Sequence, residues 1–296
     1  MLKIFTILFL ALNAAASGIP ASKRDRLVGH DLAEPNEFPF MAAIMVKHNE
    51  TVPKDCELEP SKCTSKPSNA SYYFHCNGVI IGPQFVITNS FCAMMEKFEL
   101  YNVRIRTGTN SLLDNQGEMH EIEGYKVNHK IYSYRYGIFV RSTVAIYKLK
   151  KPMKVNNRQR PVHFSAIFDK SFNQDTGNVG YATVVGWGYL NSEPELKTVF
   201  PKLLKLPQKV IIESNPQCKR LLNARYKPND DADICVYTSD RPINDGAALI
   251  FKKSFIGTAY DSFDFRNAQG IWNTGTLFAY NYNIREFIYN TATDYY

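Results

Sequence analysis

The chain has 296 residues, of which 45% are hydrophobic and 21% charged, an ordinary composition for a globular protein that buries a sizeable core in one large domain or two modest ones. Its formal net charge of +7 gives only weak attraction to acidic surfaces, and we expect no nucleic-acid partner. The six cysteines, an even number, fit an oxidising compartment.

The N-terminus predicts export. An apolar run from Ile4 to Leu12 is followed by small residues at 14–17 that suit signal cleavage. The run is too short to span a bilayer, and no later segment is long and apolar enough for a membrane helix. We therefore predict a signal peptide over 1–17, a propeptide-like segment over 18–26 and a secreted, extracellular mature protein without a membrane span.

A polar insertion follows the first predicted strand. Phe40 to Val46 is apolar enough for a strand, whereas residues 48–74 contain three prolines and many lysines and serines. The insertion carries two glycosylation sequons, which begin at Asn49 and Asn69. In a secreted protein, sequons indicate an exposed loop.

Two apolar blocks follow in the first half of the chain. Residues 85–92 read Phe-Val-Ile-Thr-Asn-Ser-Phe-Cys, and residues 141–149 read Arg-Ser-Thr-Val-Ala-Ile-Tyr-Lys-Leu. Between them, residues 103–108 alternate as a half-buried strand does.

A basic run with no acid in it covers residues 148–160. Charge runs usually lie on solvated faces, so one interpretation is a strand end and a loop in water. The alternative is a patch for sulfated glycans or phospholipid headgroups.

A tight turn at Asp245-Gly246 leads into the apolar residues 247–251, which predicts a turn feeding a buried strand. Farther on, Ile284, Phe287 and Ile288 have helical spacing and predict a closing helix over about 281–291.

Taken together, these blocks resemble the three catalytic blocks of the chymotrypsin-like or trypsin-like serine proteases. In that family the first block is an apolar run ending in Thr-Ala-Ala-His-Cys. The second block is Asn-Asp-Ile-Ala-Leu-Leu, and the third is Gly-Asp-Ser-Gly-Gly-Pro. The resemblance covers about residues 27–290. It implies an all-β fold of two packed antiparallel six-stranded Greek-key barrels with a C-terminal helix. Within a domain spanning 27–296, barrel one would cover about 40–165 and barrel two about 166–280.

The resemblance implies that the catalytic triad is lost. It aligns Phe91 with the histidine, Thr143 with the aspartate and Gly246 with the serine. The reaction needs a nucleophile, a base to deprotonate it and an acid to orient the base. Loss of the triad in a related serine protease costs about 10⁶ in turnover. We therefore predict an inactive homologue, a pseudoprotease and not an enzyme.

A basic stretch before Leu27-Val28-Gly29-His30 resembles the activation junction of the family. It implies cleavage after Arg26 and docking of the new Leu27 amino group against Asp245. The alternative is that Asp245 is an ordinary turn aspartate and that the basic stretch is only a dibasic processing sequence.

Six cysteines allow fifteen pairings, so spacing alone decides nothing. The resemblance implies two bridges and leaves a third by elimination inside the insertion: Cys76–Cys92, Cys218–Cys235 and Cys56–Cys63.

The resemblance places the floor of the former specificity pocket near Asp240. It also places Tyr260 and Asp261 where the family has Ser-Trp-Gly, and we expect them to close the pocket. No histidine lies in a metal-binding spacing, and no phosphate-cradling glycine loop is present, so we predict no metal and no cofactor.

The first functional hypothesis is a secreted non-catalytic homologue that binds an extracellular protein, such as a protease or an inhibitor. It would act as a cofactor, decoy or scaffold in a proteolytic, immune or reproductive pathway. One alternative is a binder of glycosaminoglycans, or of another acidic glycan or anionic surface, through residues 148–160. The other is a weak residual hydrolase.

Overall fold

The structure of the protein is a computed structural model. It describes residues 31–47, 72–94, 100–114, 116–134, 137–162, 182–188, 202–206, 211–213, 233–238, 245–251, 254–266, 272–280 and 284–293. Within these ranges, no helix has the length and apolar character needed to cross a membrane.

The described chain is mostly β-structure, which confirms the predicted fold class. Its first strands are β1 (Asp31–Leu32), β2 (Met41–Lys47), β3 (Tyr72–Gly82), β4 (Phe85–Asn89), β5 (Val103–Thr107), β6 (Glu118–Tyr134) and β7 (Gly137–Leu149). The later strands are β8 (Ala182–Gly186), β9 (Leu204–Leu206), β10 (Ile211–Glu213), β11 (Asp233–Thr238), β12 (Ala248–Phe251), β13 (Ser254–Arg266) and β14 (Trp272–Tyr280). A short helix covers Ser90–Met94, a 3₁₀ turn covers Leu100–Asn102, and the C-terminal helix covers Arg285–Thr293.

The first barrel is closed. Its strands follow the antiparallel order β2-β3-β4-β7-β6-β5, in which β7 returns beside β4 as in a Greek key. The predicted strand at 40–46 is β2, and all but its last residue are buried. Strand β3 begins at Tyr72, so the last three residues of the predicted insertion belong to this strand.

The second half of the described chain forms one eight-stranded antiparallel sheet in the order β1-β9-β8-β12-β13-β14-β11-β10. Strand β1 comes from the N-terminal side of the first barrel, and its Leu32 pairs with Leu204 of β9. The turn at Asp245-Gly246 leads into β12, whose first three residues are buried as predicted.

One apolar cluster joins the two halves. Val79, Ile87 and Val144 of the first barrel belong to the same buried cluster as Trp187, which follows β8, and Phe255 of β13. Ile284 and Ile288 of the C-terminal helix complete it. Complete burial of an aliphatic side chain stabilises a fold by about 1.5 to 3 kcal/mol, so this cluster holds the halves together.

Two hairpins extend past their neighbouring strands. Strands β6 and β7 stay paired as far as Tyr134 and Gly137, whereas β5 pairs with β6 only as far as Glu121. Strands β13 and β14 stay paired as far as Arg266 and Trp272. Both hairpins start where the two halves meet, because Val144 of β7 belongs to the shared cluster and Tyr260 of β13 packs against it.

Candidate functional site

The three residues that the resemblance aligns with the triad lie on three different elements. Phe91 is the second residue of the short helix, and 57% of it is exposed. Thr143 lies on β7 and is buried. Gly246 occupies the turn before β12 and is buried as well.

Asn89 connects the first barrel to the second sheet. It is the last residue of β4 and is almost fully buried. Its Nδ2 donates to Oδ1 of Asp245 at 2.8 Å and to the carbonyl oxygen of Tyr260 at 3.1 Å. Its Oδ1 accepts a hydrogen bond from the backbone nitrogen of Phe91 at 2.8 Å and so caps the short helix.

Asn77 of β3 makes the second connection. Its Oδ1 accepts from the backbone nitrogen of Trp187 at 2.7 Å, and its Nδ2 donates to the carbonyl oxygen of Trp187 at 3.0 Å. The Nδ2 and the backbone nitrogen of Asn77 also donate to the carbonyl oxygen of Asp245, at 3.3 and 3.0 Å. Asn77 is fully buried, and because its amide is hydrogen-bonded to several backbone groups it holds these elements at a fixed distance.

Gly246 has no room for a side chain. Its φ of 77° lies in the left-handed region, and its backbone nitrogen donates to the carbonyl oxygen of Ala259 at 2.8 Å. A Cβ atom at this position would overlap the carbonyl oxygen of Asn77 and lie 2.8 Å from Oγ1 of Thr88. Any larger residue here would have to displace the backbone of β3.

The structure brings the three aligned positions to one junction around Asn89. Phe91 follows Asn89 by two residues in the sequence, and Thr143 precedes Val144, the strand partner of Asn89 on β7. Gly246 follows Asp245, which Asn89 holds. The side chains that make the junction's described hydrogen bonds include two neutral amides, a threonine hydroxyl and one carboxylate.

The nearest histidine in the sequence to this junction is His75, two residues before Asn77 on β3. Burial lowers the pKa of His75 to about 4, so the ring is neutral at physiological pH. No cluster of three metal-ligating side chains occurs in the part of the chain that the structure describes.

Tyr260 occupies the position predicted to close the former specificity pocket. Its half-buried side chain packs against the cluster that joins the two halves, while its carbonyl oxygen accepts from Asn89. Asp261 follows on β13, where it pairs with Leu277. Asp240 lies outside the described residues.

The bridge between Cys76 and Cys92 is present and confirms that pairing. Its sulfur atoms are 2.05 Å apart, and it links β3 to the short helix. Cys235 lies on β11. The remaining cysteines, the predicted cleavage site and the sequons lie outside the described residues: Cys56, Cys63, Cys218, Arg26, Leu27, Asn49 and Asn69.

Sequence reasoning missed Asn77 and Asn89. The signal was available, because each is a lone amide beside a run of apolar strand residues. A buried amide costs free energy unless it is hydrogen-bonded, so such a residue predicts partners from another element.

The basic run is partly neutralised by acids of β6 that its own sequence does not contain. The Nζ of Lys148 lies 2.8 Å from Oε1 of Glu123, and the Nζ of Lys150 lies 2.9 Å from Oε2 of Glu121. The rest of the run is a loop anchored by buried Met153 and Gln159. Its exposed cations are Lys151, Lys154, Arg158 and Arg160.

Comparisons with known proteins agree with this architecture. The family model described as Trypsin matches residues 27–260. The structure is similar to that of neuropsin, a serine protease expressed in the limbic system of mouse brain, with a TM-score of 0.60 and 15% identity over 88% of this chain and 98% of that one. It is also similar to a mutant of human heparin binding protein (CAP37), with a TM-score of 0.60 and 15% identity over 90% and 97% of the two chains. No curated protein matches the sequence. At this identity the structural likeness shows the fold alone.

Proposed function

The chain belongs to the trypsin family, and from that premise we propose that it is a secreted, non-catalytic member that acts by binding an extracellular protein. It would serve as a cofactor, decoy or scaffold for a protease or an inhibitor. The family aligns this chain's Phe91, Thr143 and Gly246 with its triad, and none of the three supplies the base or the nucleophile.

The packing around Gly246 carries the proposal. Where the family places its nucleophile, this chain has a glycine in a left-handed conformation with the Asn77 carbonyl where a Cβ would lie. A reactive side chain therefore has no space at this position. The residue at the end of β4 in this junction, Asn89, is a neutral amide, which does not act as a general base at neutral pH.

Export and processing belong to the same proposal. We expect cleavage after Arg26, docking of the Leu27 amino group against Asp245, and glycosylation at Asn49 and Asn69. The start of the family match at residue 27 supports the cleavage position. Asp245 lies at the junction of the two halves, where Asn89 donates to one of its carboxylate oxygens.

Affinity capture from the native extracellular fluid, with chemical crosslinking, tests the binding role. We expect an intact extracellular protein to be retained in stoichiometric amount by the folded chain and not by the same chain after reduction and unfolding. If the folded chain retains no protein, or cleaves what it retains, the proposed role is wrong.

The second candidate is binding of an acidic glycan through residues 148–160. The exposed cations at 151, 154, 158 and 160 favour it, as does the fold shared with a protein named for binding heparin. We expect the double substitution Lys154→Gln and Arg158→Gln to lower the salt concentration for elution from heparin resin. Lys148→Gln with Lys150→Gln removes the same charge from paired lysines and should matter less. Elution of the wild type without retention at low salt would exclude this candidate.

A further inference from the structure

A polar cavity lies beside the first barrel, between the β5–β6 connection and the basic run. Its volume of about 600 Å³ falls within the range of about 300 to 1,000 Å³ that is typical of small-molecule sites. We call it the loop pocket. Two glycines line it, Gly108 and Gly117, together with six polar residues: Gln116, Glu118, Asn156, Asn157, Arg158 and Gln159.

The wall formed by the basic run is fixed by its own hydrogen bonds. Oδ1 of Asn156 accepts from the backbone nitrogens of Arg158 and Gln159, at 2.7 and 3.1 Å. The backbone nitrogen of Asn156 donates to the carbonyl oxygen of Gln159 at 2.9 Å. A wall that is ordered before a ligand arrives lowers the entropic cost of binding.

The opposite wall is braced by Arg106, which is almost fully buried. Its Nη1 donates to the carbonyl oxygen of Leu112 at 2.8 Å, and its Nη2 donates to that of Gln116 at 2.7 Å. The same Nη2 lies 3.2 Å from Oδ1 of Asp114. The backbone that carries Gln116 into the pocket is therefore held in place as well.

Gln159 forms a buried polar floor. Its side chain is 1% exposed, and its Nε2 donates to the carbonyl oxygen of Lys154 at 3.0 Å. Its Oε1 accepts from the hydroxyl of Thr107, which also lies 2.8 Å from Nε2 of His120. Burial lowers the pKa of His120, so its ring is neutral near pH 7. The floor is rigid and uncharged.

The side chains of the lining favour a ligand rich in hydroxyl groups. Among the described residues that form it, none has an apolar or aromatic side chain, which disfavours lipid tails and aromatic rings. The exposed carboxylate of Glu118 only accepts hydrogen bonds, the exposed guanidinium of Arg158 only donates them, and the amides of Gln116 and Asn157 do both. Sugar hydroxyls donate and accept, so they match this set.

The charges of the lining favour a single carboxylate on that ligand. Arg158 and Glu118 supply one positive and one negative charge, and the planar guanidinium can bind a carboxylate through two parallel hydrogen bonds. A densely sulfated chain would bring several negative charges close to Glu118, and like charges repel. One acid group on an otherwise neutral sugar needs only Arg158.

We propose that the loop pocket binds a sugar residue that carries one carboxylate, the chemistry shared by sialic and uronic acids. Arg158 would hold the carboxylate, while Glu118, Gln116 and Asn157 would bind ring hydroxyls. The proposal rests on the second candidate function, binding of an acidic glycan, and names the ligand for one part of it. It is independent of the protein-binding role.

Saturation-transfer NMR on the whole chain tests the ligand class. The probes are the methyl glycosides of N-acetylneuraminic acid, glucuronic acid and glucose. We expect at least one of the two acids to bind saturably, and the acid that binds identifies the source of the carboxylate. Methyl glucoside, which lacks the carboxylate of the glucuronide, should bind about tenfold more weakly or worse. Binding of neither acid, or equal binding of the glucoside, would overturn the proposal.

Two variants of equal charge test the assigned residue. Arg158→Gln should weaken binding of the acid by about tenfold or more. Arg160→Gln removes one exposed positive charge from outside the lining, and because solvent screens that charge, affinity should stay within about twofold of the wild type. Equal losses in the two variants would show that the basic run attracts acids by charge alone, against a shaped pocket. Circular dichroism checks that both variants fold.

Heparin resin separates failure of this proposal from failure of the function on which it rests. If the wild type is retained by heparin and neither acid binds, the loop pocket is assigned wrongly and the second candidate function stands. If heparin does not retain the chain and neither acid binds, both are wrong. If the peptide acetyl-glycyl-glutamate binds and the sugars do not, the pocket recognises a protein carboxylate and the proposed ligand class is wrong.

Discussion

The side-chain amide of Asn89 lies 2.8 Å from the carboxylate of Asp245, so a neutral residue at the end of β4 holds the acid that precedes Gly246. The family motif Thr-Ala-Ala-His-Cys has alanine at the position of Asn89. An alanine side chain cannot donate a hydrogen bond. The acid of the third block is therefore held here by a residue that the family motif does not provide.

Asn89→Ala tests how much this contact contributes. It would leave the backbone nitrogen of Phe91 uncapped and remove the donor to Asp245 and Tyr260. Loss of a buried partner costs about 1 to 3 kcal/mol, and we expect a loss of unfolding free energy in that range by urea denaturation. Asn157→Ala, at an exposed position, is the control and should change it by less than about 0.5 kcal/mol. Equal effects of the two substitutions would contradict the assigned role of Asn89.

Gly246→Ser would place the family's hydroxyl back on the turn. A non-glycine residue at this φ costs about 1 to 3 kcal/mol, and the overlap with the Asn77 carbonyl adds to that cost. We expect a marked fall in thermal midpoint and no hydrolysis.

Gly124→Ser is the matched control, because no atom lies within 4 Å of a Cβ added at Gly124. That variant should melt close to the wild type. A stable Gly246→Ser protein would show that the turn tolerates a side chain, against the packing described here.

His75 predicts a pH dependence of stability. Burial lowers its pKa to about 4 in the folded protein, against about 6.5 in the unfolded chain. As pH falls from about 6.5 to about 4, the unfolded chain takes up a proton that the folded protein does not, so stability falls. Each unit of the shift corresponds to about 1.4 kcal/mol.

Denaturation series between pH 7 and pH 4 with His75→Gln measure this contribution. The variant should lose stability less steeply than the wild type over that window. His120 has a pKa lowered in the same direction, mainly by burial, and remains in both proteins, so the difference isolates His75. Parallel curves would mean that His75 titrates normally in the folded state.

Asp245→Ala tests docking of the processed N-terminus. Removal of one partner of a buried ion pair costs about 3 to 5 kcal/mol, so the substitution should destabilise the chain cleaved after Arg26 by more than it destabilises the uncleaved chain. Differential scanning calorimetry of the four proteins gives the comparison. The same destabilisation in both forms would show that Leu27 does not dock against this acid.

Local pattern was sufficient to predict the barrel strands, whereas the Cys76–Cys92 bridge was implied by the family resemblance alone. The runs at 40–46 and 103–107 form β2 and β5, although four of the five residues of β5 are buried where the sequence predicted alternation. The junction was not predictable in the same way, because Asn77 and Asn89 act through partners more than a hundred residues away. Their role depends on how the two halves pack, which single-strand patterns do not encode.

The ion pairs of the basic run could not be predicted from its own sequence either. From the sequence, residues 148–160 contain no acid, yet Glu121 and Glu123 lie across the strand pair and bind two of the lysines. The net charge at a basic strand therefore depends on the acidic residues of the strand that pairs with it.

Incubation of the cleaved, folded chain with an irreversible fluorophosphonate probe tests the central claim most directly, since the probe bonds only to an activated hydroxyl. An active trypsin-family protease labelled in parallel supplies the positive control. The packing of Gly246 against Asn77 predicts no labelling at any probe concentration that labels the control. Stoichiometric labelling of a serine or threonine, abolished by prior unfolding, would contradict it.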